Sequence, residues 1–277
     1  MRILAAMLGG TIASENVSGT IKLGRSSFVR SFLLENFPSD EFVFPSFETY
    51  SSENATPELY INALSRIVSE TESSRYDGIL ISHGTDTCAF FAQLAARTLP
   101  NTKIPFVITG SMKSPDVDRD EPSGNLEFAV KMLSEGRSGV VFRNESGEEQ
   151  LYRVHLIMSP DINGIYAEYK DGIEPSLRAL PAGEKLPKIL TVPAFPGSVL
   201  PEEGFDRVLI CCNHSGTAST ELEGAVRSWV SRGIQVYMAP IPRDGGVYES
   251  RQILRDAGAV ELCGMPVEGA WAEVLTR

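Results

Sequence analysis

The chain has 277 residues, with 25 lysine and arginine residues against 36 aspartate and glutamate residues, a formal net charge of −11 at pH 7. A protein that tracks a phosphate backbone needs clustered cations, and the sequence has no basic block, so we expect no nucleic-acid partner. No apolar run approaches the ~20 residues needed to cross a bilayer, so we expect no membrane partner either.

The cysteines and histidines show no metal-binding pattern. The four cysteines (Cys88, Cys211, Cys212 and Cys263) are scattered, and the chain has three histidines. This spacing argues against a disulfide scaffold and against a zinc site. The first ten residues have too short an apolar core for a signal peptide, so a reduced, cytoplasmic protein is expected.

Short apolar runs alternate with helical patterns along the first part of the chain. Strands are predicted at residues 2–8, 79–82, 105–109 and 139–142, and helices at 57–72, 88–99 and 125–133. Continuous apolar runs suit strands covered on both faces, which indicates a mostly parallel sheet with helices on both sides. In such sheets, ligands bind beyond the carboxyl ends of the strands.

A change in pattern separates this region from a second one. Residues 166–187 are polar, rich in Pro and Gly and without a sustained period, which is typical of a linker. Strand and helix patterns then resume at residues 188–192, 207–212, 219–232, 235–239, 249–257 and 260–262. The prediction is therefore an N-terminal α/β domain at 1–165, a linker at 166–187 and a smaller C-terminal α/β domain at 188–277.

Two polar clusters directly follow predicted strands. The first is GGTIA at residues 9–13, and the second is SHGTDT at residues 82–87. Paired glycines permit a tight turn and bring a ligand close to backbone N–H groups, beside which a hydroxyl could act as a nucleophile. The simpler alternatives are a turn capped by Thr11, a helix capped by Asp86 and a structural His83.

These residues resemble a known family. GGTIA at 9–13 and HGTDT at 83–87 resemble the first and second signatures of the bacterial-type L-asparaginase/glutaminase family. Residues 52–57 are similar to its substrate-binding segment, and residues 109–113 to the segment after a further strand. The likeness is dense over residues 1–145, and residues 213–218 take the place of a Gly-rich loop in the second domain.

The resemblance implies an amidohydrolase of the asparaginase fold that needs no metal or organic cofactor. Thr11 would attack a carboxamide, Thr85 would take part in proton transfer, and Asp86 would hold the substrate's amino group. A carboxylate is a natural partner for an ammonium group, and a threonine hydroxyl needs a partner to remove its proton. The substrate-binding residues carried over are Gly10, Ser52, Glu53, Gly84, Ser111 and Thr217.

Two residues of the family pattern are missing. The family's activating lysine aligns with Leu156, and no tyrosine lies between residues 11 and 47, where the family's mobile loop carries one. Lys113, Arg153 or His155 could supply the missing function, and Lys113 is the first candidate because it follows a motif strand. Otherwise the protein could act on another amide by a different proton route, or bind an amino acid without catalysis.

The resemblance also concerns partners and substrate. Family members share active sites across a dimer contact, so His214 and Thr217 could face a neighbouring subunit, although a simple loop turn is equally consistent. A homodimer or homotetramer acting on a small amide or amino acid is expected. The leading hypothesis is a side-chain amidohydrolase using a Thr acyl-enzyme. The alternatives are an inactive amino-acid-binding protein and an amidase for an unusual biosynthetic or peptidyl amide.

Overall fold

The chain folds into two compact units. The computed structural model describes residues 1–23, 27–170, 172–195, 197, 199–244 and 246–277. The first unit comprises Met1–Glu168 and Pro175–Ala182, and the second comprises Tyr169–Glu174 and Gly183–Arg277. The chain thus passes between the units more than once within the segment at 166–187.

The first unit is built on a mostly parallel sheet. Its strands are β1 (Arg2–Met7), β2 (Ser14–Val17), β3 (Thr20–Leu23), β4 (Glu41–Val43), β5 (Gly78–Ser82), β6 (Phe106–Thr109), β7 (Gly139–Arg143) and β8 (Glu149–Tyr152). The sheet has the order β4-β1-β5-β6-β7-β8, and β8 runs antiparallel to β7. β2 and β3 form a separate antiparallel hairpin. The parallel sheet predicted from the apolar runs is confirmed.

Helices cover this sheet. They are α1 (Phe28–Asn36), α2 (Pro57–Ser73), α3 (Cys88–Thr98) and α4 (Asp120–Ser134). α2 begins where the sequence predicts, because Pro57 takes the first helical position and the Thr56 hydroxyl accepts the Leu59 N–H at 3.4 Å. Its apolar stripe, which includes Leu64 and Ile67, is buried. Burial of this stripe attaches α2 to the unit.

One helix starts earlier than its apolar pattern suggests. α4 begins at Asp120, whereas the pattern predicts a helix from residue 125. The Asp118 carboxylate accepts the N–H groups of Asp120 and Glu121 at 3.1 and 3.5 Å, which satisfies donors that a helix start leaves unpaired. These hydrogen bonds stabilise a polar first turn that carries no apolar periodicity.

The second unit has its own sheet. Its elements are β9 (Ile189–Pro193), β10 (Arg207–Cys211), α5 (Leu222–Ser231), β11 (Gln235–Ile241), α6 (Glu249–Asp256), β12 (Val260–Cys263) and α7 (Val267–Thr276). The strands run parallel in the order β12-β11-β10-β9. Val208, Ile210 and Trp229 belong to its buried core. Within the described part of the chain, no helix combines the length and apolar character needed to span a bilayer.

Candidate active site

The carboxyl ends of three neighbouring strands bring the sequence motifs together. β5 lies between β1 and β6, with Ser82 in register with Met7 on one side and Thr109 on the other. The hydrogen bonds continue just past the strands, where Leu8 N–H reaches the Ser82 carbonyl at 3.1 Å and His83 N–H reaches the Thr109 carbonyl at 2.9 Å. The loops that follow these strands therefore begin side by side.

Two glycines place the Thr11 and Thr85 loops in direct contact. A Cβ atom on Gly10 would lie 2.5 Å from the Gly84 nitrogen and 2.6 Å from its Cα. No side chain fits between these backbones, which explains why glycine stands at residue 10. Because Thr11 and Thr85 are the next residues of the two loops, the structure brings both threonines to one place. Both side chains are partly exposed.

A third loop joins the same place. The Ser52 hydroxyl lies 3.5 Å from a carboxylate oxygen of Asp86, at the long end of the hydrogen-bond range. A Cβ atom on Gly84 would lie 2.5 Å from the Ser52 Oγ. The Thr87 hydroxyl donates to the Ser52 carbonyl at 2.8 Å. The neighbouring Glu53 is exposed. Serine, carboxylate and threonine groups from three loops thus surround the two glycines.

The loop after β6 is fixed by α4. The Glu121 carboxylate accepts the N–H groups of Met112 and Lys113 at 2.8 and 3.3 Å. The Asn125 amide donates to the Gly110 carbonyl at 2.9 Å. Ser111 is buried, and its hydroxyl donates to the Lys113 carbonyl at 2.6 Å. The Ser111 hydroxyl proton is therefore used within the loop.

The residues suggested as replacements for the missing lysine have other partners. The Lys113 ammonium group, whose side chain is 60% exposed, pairs with Asp118 at 3.1 Å. The Arg153 guanidinium forms hydrogen bonds to Glu168 at 2.7 and 3.0 Å, and His155 acts electrostatically on the same carboxylate. Leu156 is buried in the turn that follows Arg153. The described hydrogen bonds and ion pairs do not join Lys113 to Thr11 or Thr85.

Sequence reasoning missed Tyr166, which contacts the Thr85 loop. Its hydroxyl donates to the Thr85 carbonyl at 2.7 Å, and its ring stacks on Phe142 with centroids 4.5 Å apart. Burial is the main reason that the Tyr166 pKa is raised well above 10, so the phenol stays protonated and remains a donor. The Tyr166 hydroxyl therefore holds the Thr85 carbonyl in place.

Thr217 belongs to the second unit. The loop after β10 closes through a hydrogen bond from the Asn213 N–H to the Thr217 carbonyl at 2.8 Å. The hydroxyls of Ser215 and Thr217 are 2.9 Å apart. These residues line a cleft of about 840 Å³ at the carboxyl ends of β9 and β10. Within the described residues, no group of three or more His, Cys, Asp and Glu side chains is placed to hold a metal ion.

His83 lies fully buried beneath the loops and should make folding stability depend on pH. Burial lowers its pKa from 6.5 to about 4, and a hydrogen bond to the Gly84 carbonyl opposes this effect only in part. The unfolded chain binds a proton near pH 6.5, whereas the folded chain does so only near pH 4, so stability falls as the pH falls through this window. We expect protonation of His83 in the unfolded chain to lower the free energy of unfolding by about 3 kcal/mol between pH 7 and pH 4.

Urea unfolding of the wild type and His83→Gln at pH 7, 5 and 4 measures this effect. The variant lacks the titrating group, so the wild type should lose stability relative to it, by about 2 kcal/mol at pH 5 and about 3 kcal/mol at pH 4. Parallel pH dependences for the two proteins would contradict the prediction.

Comparisons with known proteins show the family and the fold of the chain. Residues 2–153, just over half of the chain, match the family model described as "Asparaginase, N-terminal". The chain is similar to the thermostable L-asparaginase from Thermococcus kodakarensis (TM-score 0.72, 20% identity, covering 99% of this chain and 92% of that one). It is also similar to a probable cytoplasmic L-asparaginase from Campylobacter jejuni (TM-score 0.73, 18% identity, covering 99% and 94%).

Curated relatives include one of the subunits of glutamyl-tRNA(Gln) amidotransferase. The protein from Metallosphaera sedula is 22% identical over 311 residues, covering 96% of this chain and 70% of the relative. The one from Methanococcus maripaludis is 28% identical over 138 residues, covering 49% of this chain, and the match spans only about a third (32%) of that relative's length. The asparaginase fold indicated by the two motifs is confirmed, and the chain belongs to the asparaginase family.

Proposed function

We propose that the protein is an amidohydrolase that converts a small carboxamide into a carboxylate and ammonia. The observation that carries this proposal is the contact between Gly10 and Gly84, which brings the Thr11 and Thr85 loops together. A nucleophile and a group that moves its proton must both reach one carbonyl, and two hydroxyl-bearing loops in contact meet that requirement.

In the proposed reaction, Thr11 Oγ forms a bond to the carboxamide carbon and the C–N bond breaks. The hydroxyl proton of Thr11 passes through Thr85 to the leaving nitrogen, which departs as ammonia. Water then attacks the resulting ester, the bond to Oγ breaks, and a proton returns to Thr11 as the carboxylate product forms. Backbone N–H groups beside the paired glycines would stabilise the developing oxyanion.

An amino-acid amide is the substrate class that the surrounding side chains favour. The exposed Asp86 carboxylate lies next to Ser52, and Glu53 adds a second exposed carboxylate. Carboxylates bind an α-ammonium group through charge-assisted hydrogen bonds. Ser52 and Gly84 would complete the contacts to the rest of the molecule, and Ser111, whose hydroxyl donates to the Lys113 carbonyl, would contribute by holding its loop.

We also propose an assembly and a location for the protein. The family resemblance implies a homo-oligomer, a dimer or tetramer, in which Thr217 of one copy contributes to the site of another. A cytoplasmic location is also carried over, since one similar structure is described as a probable cytoplasmic enzyme.

A second candidate function is amino-acid binding without catalysis. It is favoured by the buried, apolar Leu156 at the family's lysine position and by the engagement of Lys113 with Asp118. A leucine cannot relay a proton or lower the pKa of a hydroxyl. An amidase for a biosynthetic or peptidyl amide is the remaining alternative.

Ammonia release from a panel of amides tests these functions. The panel contains L-asparagine, L-glutamine, a peptide with an internal asparagine, and propionamide, which has a carboxamide but no ammonium group. We expect turnover of a free amino-acid amide, with kcat/KM for propionamide about 10- to 100-fold lower because the charge-assisted contacts are lost.

The other outcomes separate the alternatives. Turnover of the peptide alone selects the peptidyl amidase. Saturable binding of L-asparagine in calorimetry without ammonia release selects the binding protein. Propionamide turnover equal to that of asparagine would contradict the role of Asp86. The proposed function would be overturned if the protein neither bound nor hydrolysed any of the amides.

A further inference from the structure

A buried histidine and tyrosine connect the two threonine loops below the candidate site. The His83 ring is fully buried and stacks on Phe91, with centroids 4.7 Å apart. Its Nδ1 lies 2.7 Å from the Gly84 carbonyl oxygen, and its Nε2 lies 3.2 Å from the Tyr50 hydroxyl. Both ring nitrogens therefore have hydrogen-bond partners inside the protein.

These partners determine which nitrogen carries the proton. A carbonyl oxygen can only accept, so the hydrogen must lie on Nδ1. Burial lowers the pKa of His83 to about 4 and raises that of Tyr50, so at neutral pH the ring is uncharged and the phenol is protonated. Nε2 then has no hydrogen and accepts the hydrogen bond from Tyr50.

The backbone of Tyr50 is hydrogen-bonded to the segment that leads to Thr11. Its N–H donates to the Leu8 carbonyl at 3.1 Å, and Tyr50 forms a parallel bridge with Gly9. A Cβ atom on Gly9 would lie 2.7 Å from the Tyr50 carbonyl oxygen. Tyr50 thus holds the loop before Thr11 with its backbone and the loop before Thr85 through its side chain and His83.

We infer that Tyr50 and His83 form a positioning pair that sets the Gly84–Thr85 peptide against the Gly10–Thr11 loop. The hydrogen bond from Nδ1 fixes the direction of the Gly84 carbonyl, and with it the peptide plane that leads to Thr85. This inference rests on the proposed function, since it explains how two threonines 74 residues apart (85 − 11) are kept in register for one reaction. Both residues act through the backbone of the loops.

Tyr50→Phe tests the pair because it removes the hydroxyl and keeps the ring. Loosening the Thr85 loop should affect the reacting geometry more than ground-state binding. We therefore expect kcat to fall about 10- to 100-fold while KM changes less than about twofold. Tyr76→Phe is the matched control, because Tyr76 is a buried tyrosine that precedes β5 at the opposite end of the sheet, and its activity should stay at the wild-type level.

Nitrogen-15 NMR of the histidines measures the hydrogen bond between Tyr50 and His83 directly, whereas the split between kcat and KM distinguishes a positioning role from a purely structural one. The wild type should show His83 with a hydrogen on Nδ1 and an unprotonated, hydrogen-bonded Nε2, assigned by its absence in His83→Gln. In Tyr50→Phe the Nε2 resonance should move toward that of a nitrogen without a donor, and in Tyr76→Phe it should not move.

The outcomes distinguish this inference from the proposed function. Active wild type with an unchanged kcat in Tyr50→Phe overturns the positioning pair and leaves the amidohydrolase standing. A hydrogen on Nε2 in the wild type overturns the pair even if Tyr50→Phe does not fold. A wild type that releases no ammonia from any amide removes the proposed function, and the positioning role falls with it.

Discussion

Thr11→Ala is expected to lower kcat for amide hydrolysis by about 10⁴-fold, because removing a covalent nucleophile removes the reaction pathway. Thr11 follows Gly10 in a short 3-10 helix, and its side chain is partly exposed. No hydrogen bond to its hydroxyl is found among the residues that the structure describes. Its removal should therefore change the unfolding free energy by less than about 0.5 kcal/mol.

Ammonia release and calorimetry together measure the effect of Thr11→Ala. Substrate affinity should change much less than kcat, since the proposed binding groups on Asp86 and Ser52 remain. Thr11→Ser is the matched control, because it keeps a hydroxyl at the same position and should retain measurable turnover.

A different result would reassign the nucleophile. If Thr11→Ala kept most of its activity and Thr85→Ala lost it, the acyl group would be placed on Thr85. The contact between Gly10 and Gly84 makes this the direct alternative, since both threonines lie on loops that meet there. If neither substitution changed kcat, the acyl-enzyme mechanism would be wrong.

Much of the fold could be predicted because the central strands are buried on both faces. β5 is buried along its whole length, so its sequence is a continuous apolar run that is easily recognised. The hairpin of β2 and β3 was not predicted because its strands are short, β3 is mostly exposed, and polar residues such as Glu15 and Lys22 lie opposite each other in its register. The strand order could not be obtained from apolar patterns, which carry no information about neighbours.

The candidate site was only partly visible in the sequence. Glycine-rich motifs identified the Thr11 and Thr85 loops, since glycine at these positions reflects a close backbone approach. Tyr50 and Tyr166 gave no signal, because their partners His83 and Thr85 are 33 and 81 residues away along the chain. The position of the Lys113 ammonium depends on Asp118, which lies in a polar run typical of a solvated loop. Long-range contacts of single side chains leave no pattern in one sequence.

Gly10→Ala is the second substitution with a large expected effect, because two independent constraints act at this residue. Its backbone has φ 86° and ψ 178°, a region essentially restricted to glycine. The added Cβ would also lie 2.5 Å from the Gly84 nitrogen and 2.7 Å from the His83 carbonyl carbon, which are backbone atoms that cannot rotate away. We expect a loss of about 4 kcal/mol or more in unfolding free energy from strain and overlap together.

Gly19→Ala separates these two constraints. Gly19 has a similar φ of 83°, in the turn between β2 and β3, but a Cβ atom there would meet nothing within 4 Å. It should lose only about 1–2 kcal/mol, the cost of the left-handed backbone alone, and keep its activity. Gly10→Ala and Gly19→Ala should therefore differ by about 2–3 kcal/mol in unfolding free energy, measured by urea unfolding. They should also differ by at least about 100-fold in kcat, measured by ammonia release. Equal losses of stability would show that the backbone angle of Gly10 accounts for the whole effect of Gly10→Ala and that its contact with Gly84 adds nothing. In that case the two threonine loops would have room to separate, and the geometry on which the proposed reaction depends would no longer be enforced by the fold.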